Sequence, residues 1–259
     1  MNFMPLFRAL LICLCLLTFS PDCRAAEENV PTPIYIAHAG GAVNQQTYTN
    51  SLEALEANYA RGYRFFEIDF SWTADGELVA IHDWQGAFRG QFSAPEQINV
   101  PTEAEFLQLE MNAGLSQLNL EGVLTWAKEK GDAFIVTDVK NDTTKALRKI
   151  REDFKEMQTR VIPQVYSYQE YLAVYAMGYR EIILTLYRMQ INPYEVIEFS
   201  RRHAPFAITM PWQVAQSGLA NALHQNNTPV YAHTVNDIEL FDSLRKMGVK
   251  GIYTDDLFQ

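Results

Sequence analysis

Glu67 and Asp69, one residue apart, carry the strongest chemical signal in the chain. In Arg64-Phe65-Phe66-Glu67-Ile68-Asp69-Phe70, a strand would turn successive side chains to opposite faces. Glu67 and Asp69 then share one face, and Phe66, Ile68 and Phe70 share the other. Two carboxylates facing inward need a compensating cation, because unpaired buried charge is prohibitively costly. The stretch Phe134 to Lys140 repeats the pattern: Asp138 and Lys140 fall on one face at the strand's end, where Asp138 can supply a third oxygen ligand and Lys140 a positive charge. Two imidazoles add the capacity to move protons near neutral pH. Ile34, Ile36 and His38 share a face, and His38-Ala39-Gly40-Gly41 leaves that strand as a turn that lets backbone approach a ligand closely. Asp75-Gly76 predicts a two-residue hairpin loop. With Ala74 paired to Glu77, His82 is expected opposite Asp69 and on the same face.

Taken singly, each of these residues has a plainer role, as a solvated strand edge, a satisfied structural histidine or a surface ion pair. Together they all fall at expected C-terminal strand ends, or on the hairpin attached there, which unrelated surface residues rarely do. Barrel enzymes place their chemistry at that end.

The elements that must position them follow a strand-then-helix alternation, the signature of a parallel sheet. Apolar or β-branched runs fall near 34–38, 64–70, 134–139, 160–165, 181–186, 206–210, 229–234 and 250–254, with an antiparallel ninth at 78–82. Helices are expected at Ser51 to Arg61, Thr143 to Met157, Tyr168 to Met177 and Asp237 to Met247. Asn50 with Glu53 resembles a capping box, and Gly62, Gly131, Gly178 and Gly248 sit where helices should stop. Eight strands with alternating helices match an α/β fold of the (β/α)8 TIM-barrel type better than an open doubly wound sheet. No Gly-x-Gly-x-x-Gly fingerprint argues for a dinucleotide fold. Residues 84–117 are too long for an ordinary βα loop and read as a small insertion near the mouth of the site. Its Phe88, Phe92 and Phe106 are expected to pack a core of their own, ahead of lining a substrate groove.

Residues 1–26 read as a signal peptide, with Arg8, an apolar run from Ala9 to Phe19 and small residues at Cys23-Arg24-Ala25-Ala26. The expected product is an exported protein, periplasmic or secreted, whose single domain spans 27–259. All three cysteines lie in the leader, so the remaining domain can hold neither a disulfide nor a thiolate metal site. A net charge of −10 argues against nucleic acid and anionic membrane surfaces as partners. An anionic substrate would have to be drawn in against that field by something local, and a bound cation is the economical answer.

At this point the motifs resemble those of the glycerophosphodiester phosphodiesterase family, related to the phosphatidylinositol-specific phospholipase C barrels. The resemblance runs through His38-Ala39-Gly40, Asn50-Ser51, Glu67-Ile68-Asp69, Thr73-Ala74-Asp75-Gly76, His82-Asp83 and Val136-Thr137-Asp138-Val139-Lys140 to Thr234-Val235-Asn236 and the closing Gly248 to Asp255. It implies that Glu67, Asp69 and Asp138 bind one divalent cation, that His38 and His82 are the acid/base pair, and that Lys140 neutralises phosphate. An all-oxygen site favours a hard cation: Ca²⁺ is the first choice for an exported protein, with Mg²⁺ the alternative. The implied reaction is metal-dependent hydrolysis of a small-molecule glycerophosphodiester to an alcohol and glycerol phosphate.

The chain also departs from the family pattern. Ala39 stands in place of an arginine, Asp138 is a methylene shorter than the usual glutamate, and His233 stands where a tryptophan often precedes Thr-Val-Asn. Arg89 is the candidate substitute for the missing arginine, against the plainer surface role that arginines usually have. Two alternatives stay open. One is a phospholipase-like activity on phospholipids or lysophospholipids, with transient membrane contact, for which Trp84 and Trp212 are suggestive. The other is a catalytically weakened phosphodiester-binding barrel.

Overall fold

The structure is a computed structural model that describes residues 30–93 and 99–258; the expected leader at 1–26 lies outside the described residues. Among the described residues, nine strands form one sheet: β1 Tyr35–Ala37, β2 Phe65–Trp72, β3 Leu78–Ala80, β4 Phe134–Val139, β5 Val161–Val165, β6 Ile183–Thr185, β7 Ala207–Pro211, β8 Val230–His233 and β9 Gly251–Thr254. Eight of them, all but β3, pair in parallel, and β1 closes the ring by pairing with both β9 and β2. The expected (β/α)8 barrel is what the chain forms.

The closing strands are short, and β2 shows how they are held. Its inner edge follows β4 from Phe65 to Phe70, while its other edge meets β1 at Phe66 and then β3 at Phe70, Ser71 and Trp72. Phe66, Ile68 and Phe70 enter the core between sheet and helices. Glu67 and Asp69 alternate into the barrel, 2% and 1% exposed.

The helices are α1 Leu52–Arg61, α2 Gly86–Gln91, α3 Glu103–Leu107, α4 Leu120–Lys130, α5 Thr143–Asp153, α6 Tyr168–Ala176, α7 Pro193–His203, α8 Trp212–Val214, α9 Ala220–Gln225 and α10 Ile238–Lys246. Gly62 ends α1 with a φ of 111°, a left-handed conformation glycine adopts without a Cβ penalty. Among the described residues no helix is long and apolar enough to cross a membrane.

Two local expectations are overturned. The cap of α1 is Ser51, whose hydroxyl accepts from the Ala54 N–H. Asn50 is not part of a capping box, and the Glu53 carboxylate instead accepts from the Ser116 backbone N–H and hydroxyl. The hairpin is also one residue out of the expected register. Trp72 pairs with Leu78, and the Thr73 N–H donates to the Glu77 carbonyl, so the loop is Ala74-Asp75-Gly76 rather than Asp75-Gly76. Gly76, at a φ of 83°, supplies the left-handed position that a three-residue loop with a bulge requires.

In the insertion, Phe88, Phe92 and Phe106 pack with Val43, Val79, Ile81 and Met111 in a separate apolar cluster. Trp84 lies edge-on to Phe88 and Phe106 at 5.5 and 5.8 Å.

Candidate active site

The carboxyl ends of the barrel strands enclose a cavity of about 460 Å³, lined among others by His38, Tyr48, Glu67, Asp69, His82, Asp138 and Lys140. Six of the seven side chains singled out in the sequence therefore meet in one place. Register explains the carboxylates: Asp69 and Asp138 are direct partners across the β2–β4 pair, and Glu67 sits one inward position below. One oxygen from each of the three comes within 4.8 Å of the others.

Arg89 is the exception. It lies exposed on α2 and is not among the residues lining the cavity, because α2 is oriented by the apolar cluster that takes Phe88 one residue earlier. A different arginine approaches the carboxylates. Arg188 lies over the Tyr166 ring at 4.0 Å and donates to the Lys140 carbonyl at 3.4 Å. Its positive charge favours the ionised form of Asp138.

Lys140 bridges the two aspartates, 2.5 Å from Asp69 and 2.8 Å from Asp138. Burial works against its charge, but those carboxylates hold the ammonium protonated well above its ordinary range. Burial likewise opposes ionisation of Asp69, and Lys140, His82 and Asn50 outweigh it. Asp138 goes the other way: burial lifts it above the usual carboxylate range despite Lys140, and the Tyr166 hydroxyl donates to it. Glu67 is left worst off. Burial, then repulsion from Asp69, pushes its carboxyl up to about 8, although one oxygen accepts the Ala39 N–H at 2.8 Å. Three clustered carboxylates with one ammonium between them, and one carboxyl so poorly compensated, fit the donor set of a hard divalent cation.

Each histidine is tied through Nδ1 to a carboxylate, His38 to Asp255 and His82 to Asp83, both at 2.8 Å. That leaves Nε2 of each ring for another partner. Burial alone would lower the His38 pKa. The hydrogen bond to Asp255 and the charges of Glu67 and Asp69 overcome it and raise the value above 6.5. His82 reaches the cavity despite the shifted register because strand pairing stops at Ala80. There the Ile81 N–H turns back to the Val79 carbonyl, and this tight turn breaks the alternation. Tyr48 stands between the histidines, edge-on to both rings at 4.3 and 5.8 Å. Tyr48 and His82 also line an adjoining cavity of about 470 Å³ toward α2.

Several site residues escaped the sequence reading. Asn50 holds Asp69 twice: its Nδ2 donates to the carboxylate and its Oδ1 accepts the Asp69 N–H, both at 3.0 Å. Asp255, one inward position beyond Tyr253 on the last strand, is held in turn by Asn236. The signal for Asp255 is the same period of two that places Asp69, since Tyr253, two positions earlier, faces the cavity. Gln164 on β5, a buried polar residue on a strand, carries the same signal. It accepts from the Tyr253 hydroxyl at 2.8 Å.

A closed eight-stranded parallel barrel with its ionisable groups gathered at the carboxyl ends of the strands belongs to the TIM-barrel enzymes. Within that class, the model of the glycerophosphoryl diester phosphodiesterase family matches residues 24–258. The chain belongs to this family, whose members are phosphoric diester hydrolases.

Solved structures agree on the fold. A glycerophosphodiester phosphodiesterase from Parabacteroides distasonis is 22% identical, with 85% of this chain and 92% of that chain covered and a TM-score of 0.67. One from Thermotoga maritima is 18% identical, with 87% and 95% covered and a TM-score of 0.66. An Oleispira antarctica phosphodiesterase in complex with its product sn-glycerol-3-phosphate is 16% identical, with 86% and 93% covered and a TM-score of 0.69. No curated protein sequence gives a significant match.

Proposed function

We propose that this chain hydrolyses glycerophosphodiesters to an alcohol and glycerol phosphate, with one divalent cation on Glu67, Asp69 and Asp138 and with His38 and His82 as the acid/base pair. The observation that carries the reading is the approach of the three carboxylates to within 4.8 Å of one another, in a cavity that also holds both histidines and Lys140. Family membership and the glycerol phosphate bound in the Oleispira antarctica relative support the substrate class.

Phosphodiester hydrolysis is difficult because attack builds charge on the phosphoryl oxygens and the alkoxide leaves poorly. When bound, the cation supplies Lewis-acid stabilisation of a non-bridging oxygen. Lys140, at the cavity wall, adds a fixed positive charge to the same phosphate. His38 and His82 divide the proton work: one ring takes a proton from the nucleophile while the other gives one to the leaving oxygen, which requires opposite protonation states. Asp255 and Asp83 fix the tautomers by occupying Nδ1. Calcium is the cation we favour, with magnesium second, consistent with an all-oxygen donor set and with the export expected from residues 1–26.

The test is a product-release assay over a panel of glycerophosphodiesters and lysophospholipids, with and without Ca²⁺ or Mg²⁺. Turnover is expected only with a divalent cation, and Asp69→Asn is expected to abolish it. Undiminished turnover after exhaustive chelation would remove the cation from the reaction. Turnover confined to lysophospholipids would shift the substrate class to lipids.

A further inference from the structure

Each imidazole of the acid/base pair is anchored at a single atom, Nδ1, on Asp255 or Asp83. A ring tied at one atom can still swing about that bond, and a misplacement of about 1 Å can cost about 10²-fold in rate. His82 is the less secure of the two. Its anchor is the next residue in the chain, the two side chains are 39% and 40% exposed, and sheet pairing has already stopped at Ala80. The second contact of both histidines is one aromatic ring. Tyr48 packs edge-on to His38 at 4.3 Å and to His82 at 5.8 Å, within the range at which aromatic pairs attract in a preferred geometry.

The backbone is bent to bring that ring in. Tyr48 has a φ of 62°, a left-handed conformation that bulky residues rarely adopt and that persists only where the surroundings hold it. Here they hold it from three sides. Val43 and Gln46 exchange N–H and carbonyl at 2.9 and 2.8 Å, which closes the turn before Tyr48. The Gln91 Nε2 donates to the Tyr48 carbonyl at 2.5 Å. Asn50, two residues further on, donates its N–H to the Ala39 carbonyl at 3.1 Å and grips Asp69 through its side chain. Tyr48 is nonetheless 41% exposed, so burial of a core side chain does not account for the bend.

The structure assigns Tyr48 as a positioning residue for both histidines, a wedge between the two rings that keeps them aimed at the reacting phosphodiester. The ring does this work, since it is the ring that meets both imidazoles. Tyr48 also lines both the site and the adjoining cavity toward α2, so removing it opens space into which His82 can turn. This rests on the acid/base roles proposed for His38 and His82 and adds the group that sets their aim.

The test uses two diesters that differ in their need for an acid, glycerophosphoethanolamine and glycerol 4-nitrophenyl phosphate, both in the presence of Ca²⁺. In each the nucleophile gives a proton to the base and the P–O bond to the arm breaks. The ethanolamine oxygen must take a proton from the acid as it leaves, whereas nitrophenolate leaves without one. Tyr48→Asn removes the ring and keeps a residue that tolerates the left-handed conformation; Tyr48→Gly does so with no backbone penalty. In both, kcat on glycerophosphoethanolamine is expected to fall by about tenfold or more with KM nearly unchanged, because aim and not binding is lost. The fall on the nitrophenyl diester should be smaller by about threefold or more, since only the base is still needed there. Tyr48→Phe keeps the ring contacts and should stay within about twofold of the unmodified protein on both. Unchanged kcat in the Asn and Gly variants, a loss carried by KM alone, an equal fall on the two diesters, or a Phe variant as impaired as the others would each overturn the assignment while leaving the hydrolytic role intact. Failure of the unmodified protein to cleave either diester would overturn the hydrolytic role and the assignment with it.

Discussion

His38 and His82 share a bonding pattern but not an environment: the His38 side chain is 11% exposed, the His82 side chain 39%. Neither belongs to the carboxylate cluster. His38→Ala and His82→Ala are therefore each expected to lower turnover by about 10²-fold or more, the usual scale for a lost general acid or base, with cation affinity nearly intact by calorimetric titration. Near-normal turnover in either variant would return that histidine to a structural role. Asp255 is a positioning residue for His38, and its effect has a sign. Burial lowers the His38 pKa and Asp255 is the strongest influence raising it, so Asp255→Asn should move the His38 midpoint downward. An NMR titration of the cation-free protein checks this, and an unmoved or raised midpoint would contradict it.

At the scale of elements, the loop from His38 to Ala42 hangs on α1 through one side chain. Asn58 is fully buried, and its Nδ2 donates to the carbonyls of Gly40, Ala42 and Ala54 at 3.1, 3.0 and 2.9 Å. Gly41 permits this closeness, since a Cβ there would lie 2.5 Å from the same nitrogen. Asn58→Ala leaves buried carbonyls without a donor and is expected to cost about 1–3 kcal/mol. It should lower the melting temperature and also reduce turnover well below that temperature, because the loop carries His38. A melting shift with unchanged kinetics would show that the loop keeps its place without Asn58. Much at this scale was legible: all eight barrel strands and the helix stops at Gly62 and Gly131 follow from local pattern. The exceptions have a common cause. Asn50 suits a helix cap on local grounds, but β2 offers it both a carboxylate and a backbone N–H, and only the assembled sheet supplies that competitor.

For the whole molecule, the uncompensated carboxylates make folding depend on pH and cation together. The Glu67 carboxyl has a folded pKa of about 8 against an ordinary 4.5. The cation-free folded state thus holds a proton that the unfolded chain releases across that window. Folding without cation becomes less favourable as pH rises from about 4.5 to about 8, and cation binding gains strength over the same range as Glu67 gives up its proton. At 100 times its Kd a cation adds about 2.7 kcal/mol, a rise in Tm of about 5–10 °C for a domain this size. That rise should be larger at pH 8 than at pH 5 in a thermal melt. A cation effect independent of pH, or larger at pH 5, would exclude Glu67 from the binding set.

Side-chain alternation along a strand has a period of two and needs no knowledge of neighbours, so the sequence alone determined that Glu67 faces with Asp69 and Asp138 with Lys140. Strand count and order of elements were legible for the same reason, since burial on a barrel strand is written locally in apolar runs. Tertiary structure decided what depends on distance or on a single extra residue. Closure of the barrel brings Asp255 to His38 from 217 residues away, a pairing no local pattern contains. The bulge at Gly76 shifts the hairpin by one position, and the turn at Ala80 restores His82 to the site. Arg89 points away because aromatic packing sets the orientation of α2. Arg188 comes to the carboxylates because the segment after β6 reaches over to the end of β4, where it meets the Lys140 carbonyl, a neighbour in space and not in sequence.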